Sequence, residues 1–256
     1  MAKFALIGNP ITHSKSPALF KAAYPEGEDT YSLLHAPTCK EAIERFTSEG
    51  FSGCNVTSPF KDDVMEYISL PDRISSILSS ANTVISREGK LHSFNTDYYG
   101  VRNTLSDFLE SKGKKDEMPS LTTLVIGAGG AGKAAALAVC DMGMRVFFAN
   151  RSSNAAAPFA SKIGAEFIPL DNIPQILPET DIIIYNLSME IGQLQGISLE
   201  GKIVFEANYA HPNLANSGAE SYISGRYWLY NQAIPAFKLF TGKEPDTVAM
   251  KQVMGI

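Results

Sequence analysis

The stretch Leu121–Gly132, reading Leu-Thr-Thr-Leu-Val-Ile-Gly-Ala-Gly-Gly-Ala-Gly, constrains this chain more than any other. An apolar run of strand length ends on Gly127, Gly129 and Gly132, spaced G-x-G-x-x-G, and an alanine-rich run of helical composition follows over Lys133–Met142. Each glycine has a physical reason in a strand–turn–helix. The first makes the tight turn, the second lets backbone approach an anionic group, and the third allows the helix to pack closely. The open N–H groups of the helix start then face negative charge. The pattern predicts a Rossmann-type α/β unit that holds the pyrophosphate of a dinucleotide on Gly127, Ala128, Gly129, Gly130 and Ala131. Gly127 to Lys133 also spells most of a mononucleotide phosphate loop, but Ala134 lacks the hydroxyl that would hold magnesium there.

The end of the next strand selects the dinucleotide. An NAD site usually places an acid about twenty residues after the fingerprint, on the ribose 2′-hydroxyl. Here that place holds Asn150-Arg151-Ser152, with no acid. The guanidinium fork of Arg151 suits a 2′-phosphate and stacking on adenine. NADP is therefore the expected cofactor, with Asn150, Arg151 and Ser152 at its adenosine end. NAD stays possible, because Asn154 and Ala155 stand where a second basic clamp would follow.

Composition excludes several classes. A net charge of −5 over 256 residues lacks the basic excess of a nucleic-acid binder. Three scattered cysteines, Cys39, Cys54 and Cys140, form no CxxC pair, which argues against a disulfide framework or a zinc site and for a reducing compartment. The apolar N-terminal run Met1–Gly8 is too short for a signal peptide or a membrane span. The expectation is a cytoplasmic protein, monomeric or homodimeric, with a small-molecule substrate, no metal and no membrane partner.

Strand and helix alternate through the first hundred residues. Lys3–Ile7 reads as a buried strand ended by Gly8-Asn9-Pro10, and Ser16-Pro17 opens a helix to about Tyr24 with Ser16 as N-cap. A strand near Tyr31–His35, a helix near Lys40–Glu49, a strand into Asn55, a helix near Asp62–Tyr67 and a hairpin over Thr83–Phe94 turning at Glu88-Gly89 follow. A helix from Asp97 to about Leu109 runs into Glu110–Pro119, which reads as a linker. Beyond the fingerprint, strands are expected at Arg145–Ala149, Asp181–Asn186 and Lys202–Phe205, and a last helix at Gln232–Gly242. Two α/β domains with mostly parallel sheets is the economical architecture.

Polar chemistry concentrates in the first of them. Gly53–Lys61 sets Asn55, Thr57, Ser58 and Lys61 around a proline-stiffened turn. On its own this admits either a turn shaped by Asn and Pro or a wall of a site for a polyhydroxylated molecule, where each hydroxyl needs its own partner. His13-Ser14-Lys15-Ser16-Pro17 puts two hydroxyls just before a helix start, suited to a carboxylate. Ala81-Asn82-Thr83, Asn95-Thr96-Asp97 and Gln232 add amide, hydroxyl and acid groups.

The set Gly8-Asn9-Pro10…His13-Ser14-x-Ser16-Pro17, Asn55-Val56-Thr57-x-Pro59-x-Lys61, Ala81-Asn82-Thr83 and Asn95-Thr96-Asp97-x-x-Gly100 resembles the shikimate dehydrogenase family. The fingerprint, Asn150-Arg151-Ser152 and Gln232-Ala233 continue the resemblance in the same order along nearly the whole chain. It implies an NADP-dependent, reversible reduction of 3-dehydroshikimate to shikimate, in aromatic amino-acid and chorismate biosynthesis. It implies Lys61 and Asp97 as the catalytic pair, Ser14 and Ser16 on the substrate carboxylate, and Thr57, Asn82 and Gln232 on the ring oxygens. It also implies a substrate domain over 1–101 plus about 232–256, around a dinucleotide-binding domain over 102–231. Hydride transfer to a ketone leaves an alkoxide that needs a proton donor, which a lysine at the carbonyl supplies; His13, His35, His92 and His211 are not needed. A quinate/shikimate dehydrogenase using NAD, or a non-catalytic dinucleotide sensor, are the alternatives, the second disfavoured by retention of both Lys61 and Asp97.

The chain departs from the family pattern in three places. Phe20-Lys21 replaces His-Asn, Asn186-Leu187-Ser188-Met189 replaces Asn-Thr-Thr-Pro, and Glu206 of Glu206-Ala207-Asn208-Tyr209 replaces Asp.

Overall fold

The computed structural model describes residues 1–256 and divides into two compact units, 1–99 with 230–256 and 100–229. The first unit contains β1 (Lys3–Gly8), α1 (Ser16–Ala23), β2 (Thr30–His35), α2 (Cys39–Ser48), β3 (Gly53–Val56), β4 (Leu70–Pro71), α3 (Arg73–Leu78), β5 (Thr83–Arg87) and β6 (Lys90–Phe94). Its six strands form one sheet in the order β2-β1-β3-β5-β6-β4. β1 pairs in parallel with β2 and β3, whereas β5 runs antiparallel to both β3 and β6. The expected hairpin turns at Glu88 and Gly89, with φ of 51° and 71°, the left-handed pair that a two-residue turn between twisted strands requires. Buried Ala5, Ile7, Phe46, Cys54, Val56, Phe60 and Val84 form the core under this sheet.

The expected helix near Asp62–Tyr67 is a single 3-10 turn, Asp63–Tyr67. Ser16 is not an N-cap: Lys15 holds that position without a side-chain cap bond, and Ser14 Oγ accepts the Ser16 N–H at 3.2 Å. The hydroxyl two residues upstream reaches the open N–H, so the capping signal belonged to the earlier serine. The stretch Glu110–Pro119 is not a plain linker either, since α4 (Asp97–Ser111) enters it and a 3-10 turn, Lys115–Ser120, closes it.

The second unit contains β7 (Thr122–Ile126), α5 (Gly130–Asp141), β8 (Arg145–Asn150), α6 (Ser153–Ile163), β9 (Glu166–Pro169), α7 (Ile173–Ile176), β10 (Ile182–Tyr185), β11 (Ile203–Glu206) and β12 (Ser221–Ser224). Its sheet runs β12-β11-β10-β7-β8-β9 and every pairing is parallel. Counted from β7, this is the doubly wound 3-2-1-4-5-6 order of a dinucleotide-binding fold. The strands are buried on both faces, which is why β7 and β10 read as continuous apolar runs.

After β12 the chain forms α8 (Gly225–Thr241) and α9 (Thr247–Met254). Gln232 therefore lies in mid-helix and does not open the last helix. Gly225 begins α8 because a Cβ there would stand 2.2 Å from the Ala207 carbonyl oxygen. Phe237 and Phe240, on the part of α8 that belongs to the first unit, pack within it: Phe240 stacks on Phe4 at 4.8 Å, and Phe237 meets Phe20 at 5.4 Å. Gly53 leaves room for this, since a Cβ would fall 2.7 Å from the Phe240 ring.

Glu206, fully buried at the end of β11, accepts from Asn213 N (2.6 Å), Asn213 Nδ2 (2.9 Å), Leu214 N (3.0 Å) and the Tyr222 hydroxyl (3.0 Å). Truncating it leaves these donors without an acceptor, so Glu206→Ala should lower unfolding free energy by about 3 kcal/mol or more in urea titration. Burial and the neighbouring carboxylates of Glu206 and Glu190 push the Tyr185 phenol up to about 12, and burial with Glu206 pushes Tyr222 up as well. The fold thus favours both protonated phenols. That stability is fully present below the ordinary tyrosine value and is lost as pH rises through the raised ones. Tm should fall between about pH 10 and pH 12, and Tyr185→Phe should flatten part of that fall.

Candidate active site

The predicted substrate residues lie on loops at the carboxyl ends of β1 and β3 and on the elements beside them. Thr57 N donates to Ile7 O at 2.9 Å and Asn9 N to Ser58 O at 3.1 Å, which seats the two loops edge to edge. Gly8 is required at this contact, because a Cβ would meet Thr57 Cγ2 at 2.4 Å. Phe60, buried in the core, closes the turn with its N–H on Thr57 O at 3.0 Å and delivers Lys61 immediately after. On the β1 side, Ser14 Oγ donates to Ser16 Oγ at 3.1 Å, so the two hydroxyls form one half-buried cluster at the start of α1.

Lys61 Nζ and Asp97 Oδ2 form a hydrogen-bonded ion pair. The side chains are 17% and 9% exposed, so the pair is largely shielded from water. Asp97 is the first residue of α4, where the helix N-terminus favours its negative charge. The Lys61 backbone is fixed in turn by Ala81 N, which donates to Lys61 O at 2.8 Å.

Asn82 joins the rest. Its Oδ1 accepts from Thr96 N at 2.6 Å, and its Nδ2 donates to Thr96 Oγ1 at 3.0 Å and Gln232 Oε1 at 3.3 Å. The Thr96 hydroxyl lies 3.1 Å from Asn82 Oδ1 and 3.0 Å from Gln232 Oε1 and has one proton for the two. Asn55 Nδ2 donates to Asn82 O at 3.2 Å and Thr83 Oγ1 at 3.1 Å, and Tyr31 O–H donates to Asn55 Oδ1 at 2.8 Å. Ser16, Tyr31, Asn55 and Gln232 also line one small, partly open pocket of about 20 Å³, enough for a water. Ser16 and Gln232 thus share one pocket, Asn82 holds Gln232, and the Asn82 backbone neighbour holds Lys61. Tyr31 is a member that the sequence did not single out. A tyrosine on a strand reads as packing, and only the pairing of β1 with β2 on one side and β3 on the other brings it to Asn55.

In the second unit, Gly127 has φ of 100°, and a Cβ on Gly132 would stand 1.8 Å from Gly127 O. A Cβ on Gly129 would meet nothing within 4 Å, so this backbone faces open space. α5 begins at Gly130 and not at Lys133, because the fingerprint itself supplies the first turn. Ala128 N donates to Asn150 Oδ1 at 3.3 Å, and Asn150 Nδ2 donates to Ser152 O at 3.0 Å, tying the glycine turn to the end of β8. Beside it, Asn150, Arg151, Leu170, Asp171, Ser188 and Gln193 border a groove of about 650 Å³ at the carboxyl ends of the strands. An anionic dinucleotide fits these features: open glycine backbone, a helix start and an exposed arginine. No group of His, Cys, Asp and Glu side chains gathers in a metal-holding arrangement, and no helix is long and apolar enough to cross a membrane.

The departures from the family pattern have structural accounts. Phe20 is buried between Phe4, Tyr31 and Phe237, so it serves packing. The loop after β10 is pinned by Tyr185 O–H on Met189 O at 2.5 Å, while Leu187 packs on the glycine turn, 2.9 Å from where a Gly127 Cβ would be. Glu206 organises its own loop through the four bonds given above.

Comparisons with known proteins identify the family. Residues 6–84 match the model of the shikimate dehydrogenase substrate binding domain, and residues 110–193 match that of shikimate / quinate 5-dehydrogenase. The chain is 32% identical to the shikimate dehydrogenase (NADP(+)) of Natronomonas pharaonis, over 99% of this chain and 98% of that protein. The crystal structure of shikimate dehydrogenase from Aquifex aeolicus superposes with a TM-score of 0.86 at 26% identity, covering 99% of this chain and 97% of the other. That of shikimate 5-dehydrogenase from Thermus thermophilus, in complex with NADP(H) and shikimate, gives 0.80 at 26% identity, covering 100% and 99%. With a substrate-domain match at one end, a dehydrogenase-domain match after it and curated relatives along its whole length, this chain belongs to the shikimate dehydrogenase family.

Proposed function

We propose that this chain catalyses the reversible, NADP-dependent reduction of 3-dehydroshikimate to shikimate. The observation that carries the reading is the shielded Lys61–Asp97 pair set beside the Asn82–Thr96–Gln232 network. The bound nicotinamide supplies the hydride chemistry. Lys61 Nζ delivers a proton to the oxygen that becomes the alcohol, and in the reverse direction receives it. Asp97 holds the ammonium in place and accepts from the neighbouring substrate hydroxyl. Ser14 and Ser16 donate their hydroxyls to the carboxylate at the start of α1. Thr57, Asn82 and Gln232 offer hydroxyl and amide groups that both donate and accept, which suits ring hydroxyls.

In the second unit, Gly127, Ala128, Gly129, Gly130 and Ala131 hold the pyrophosphate against the start of α5. Asn150 and Ser152 shape the adenosine end, and Arg151 takes the 2′-phosphate. The missing acid at the end of β8, and relatives named for NADP(+), favour this over quinate oxidation with NAD. All these roles fall within one chain, which supports a monomer or homodimer. Three unpaired thiols suit the cytoplasm.

The deciding experiment is an absorbance assay of purified protein with shikimate and either NADP⁺ or NAD⁺. Absence of turnover with both cofactors would sink the reading. Lys61→Ala should lower kcat by about 10²- to 10⁴-fold while NADP⁺ affinity, measured by calorimetry, stays near that of the wild type. Preserved kcat with weakened substrate binding would reduce Lys61 to a ligand. Arg151→Ala should raise KM for NADP⁺ by about 10-fold or more and change that for NAD⁺ little, as loss of a charge-assisted contact predicts. Equal changes for both cofactors would remove the phosphate-binding role.

A further inference from the structure

Asn95 has no role in the scheme above, yet its place in the fold singles it out. The residue has no exposed surface, and its Nδ2 donates to Ser80 O at 3.0 Å. Ser80 is anchored from the other side, its N–H donating to Ser75 O of α3 at 3.2 Å. The next residue, Ala81, donates its N–H to Lys61 O at 2.8 Å. Asn95 itself stands two residues before Asp97. The links therefore close a ring: Asn95 to Ser80, Ser80 along the chain to Ala81, Ala81 to Lys61, Lys61 through its side chain to Asp97, and Asp97 along the chain back to Asn95. Lysine reaches the pair on a long flexible stem, so the spacing of the two backbones sets where Nζ sits.

We propose that Asn95 is a positioning residue for the Lys61–Asp97 pair, its side-chain amide fixing the distance between the two backbones through Ser80. The inference rests on the reading of that pair as catalytic. A second observation sets this amide apart from a packing residue. No protein group hydrogen-bonds the buried Asn95 Oδ1, nor the buried Ser80 Oγ. A buried carbonyl oxygen with nothing to accept is a standing cost that an apolar side chain of the same shape would avoid. Asn95 carries that cost while making one of three bonds between these segments, beside Asn82 N on Phe94 O at 3.2 Å and Thr96 N on Asn82 Oδ1 at 2.6 Å, and the one that reaches Ser80. Small misplacement of a reacting group is expensive in rate, about 100-fold for an ångström, so the bond is worth keeping for catalysis where it is poor value for stability.

The test uses the full-length protein with Asn95→Leu and Asn95→Asp. Leucine removes both the donor and the unpartnered oxygen; aspartate keeps the shape and removes the donor. Both variants should lower kcat for shikimate oxidation by about 10- to 100-fold, with KM for shikimate and for NADP⁺ within about threefold of wild type. The solvent deuterium isotope effect on kcat should rise as proton transfer becomes slower, while Tm of the leucine variant falls little. If one variant does not fold, the other and Asn95→Ala are read in the same way. Wild-type kcat in the folded variants would overturn the proposal, and so would a fall in kcat that only tracks a loss of folded protein. A wild-type protein inert with shikimate would sink the catalytic reading and this inference together, whereas active wild type with equally active variants sinks this inference alone.

Discussion

The first unit is organised around one buried amide. Asn82 is 3% exposed, and its oxygen and nitrogen reach the loop that carries Thr96 and the helix that carries Gln232. An amide can do this because it presents acceptor and donor a short, fixed distance apart. No apolar side chain could link a strand start, a helix start and a helix middle with defined direction. A buried polar network of this kind is stabilising only when its members are satisfied. That requirement dictates the neighbours: Thr96 beside Asp97, Thr83 next along the strand, and Asn55 holding the Asn82 carbonyl from β3. The site is the surface of this network.

In the proposed function, the second unit recognises its dinucleotide by different means. Its glycine turn offers backbone and the absence of side chains, and the shape is enforced by close approach, as the 1.8 Å gap between a Gly132 Cβ and Gly127 O demonstrates. Asn150 and Arg151 add side-chain chemistry in the groove beside the turn, which Asp171, Ser188 and Gln193 also border. Recognition built on side chains is open to tuning one residue at a time. Recognition built on backbone tolerates little change in the turn but places few demands on the residues around it. The loop after β10, which departs from the family pattern, is held by the Tyr185 hydroxyl on Met189 O and by Leu187 against Gly127, and it borders the groove.

Much of this was legible in the sequence where local chemistry decides. The glycine fingerprint, the Glu88-Gly89 turn and strands such as β1, β7, β8 and β10 follow from rules that act over a few residues, whereas α3, α6, β9 and β12 carried no such signal. What was not legible depends on contacts distant in sequence. Gln232 read as a helix start because the apolar spacing begins there, but the helix opens at Gly225, where only glycine fits against Ala207. Ser16 read as the cap because Pro17 follows it, while the bond is made by Ser14. Tyr31 gave no polar signal, since its hydroxyl acquires a purpose only when β2 lies beside β1. In the site, residue types were readable and connectivity was not: the sequence shows Asn95, Ser80 and Lys61 as separate polar points, and the ring joining them appears only in three dimensions.

The first unit is assembled from both ends of the chain, residues 1–99 and 230–256, whereas the second is one continuous stretch, 100–229. Synthesis from the N-terminus therefore releases every strand of the parallel sheet before it releases Phe237 and Phe240. Until those rings arrive, Phe4 and Phe20 lack the partners that cover them, and Asn82 lacks Gln232. A growing chain can complete its dinucleotide fold on the ribosome while its substrate wall is still missing a side. Exposed aromatic rings on such a half-built unit invite chaperones or aggregation, and loss of the last 27 residues, 230–256, would leave the chain permanently in that state.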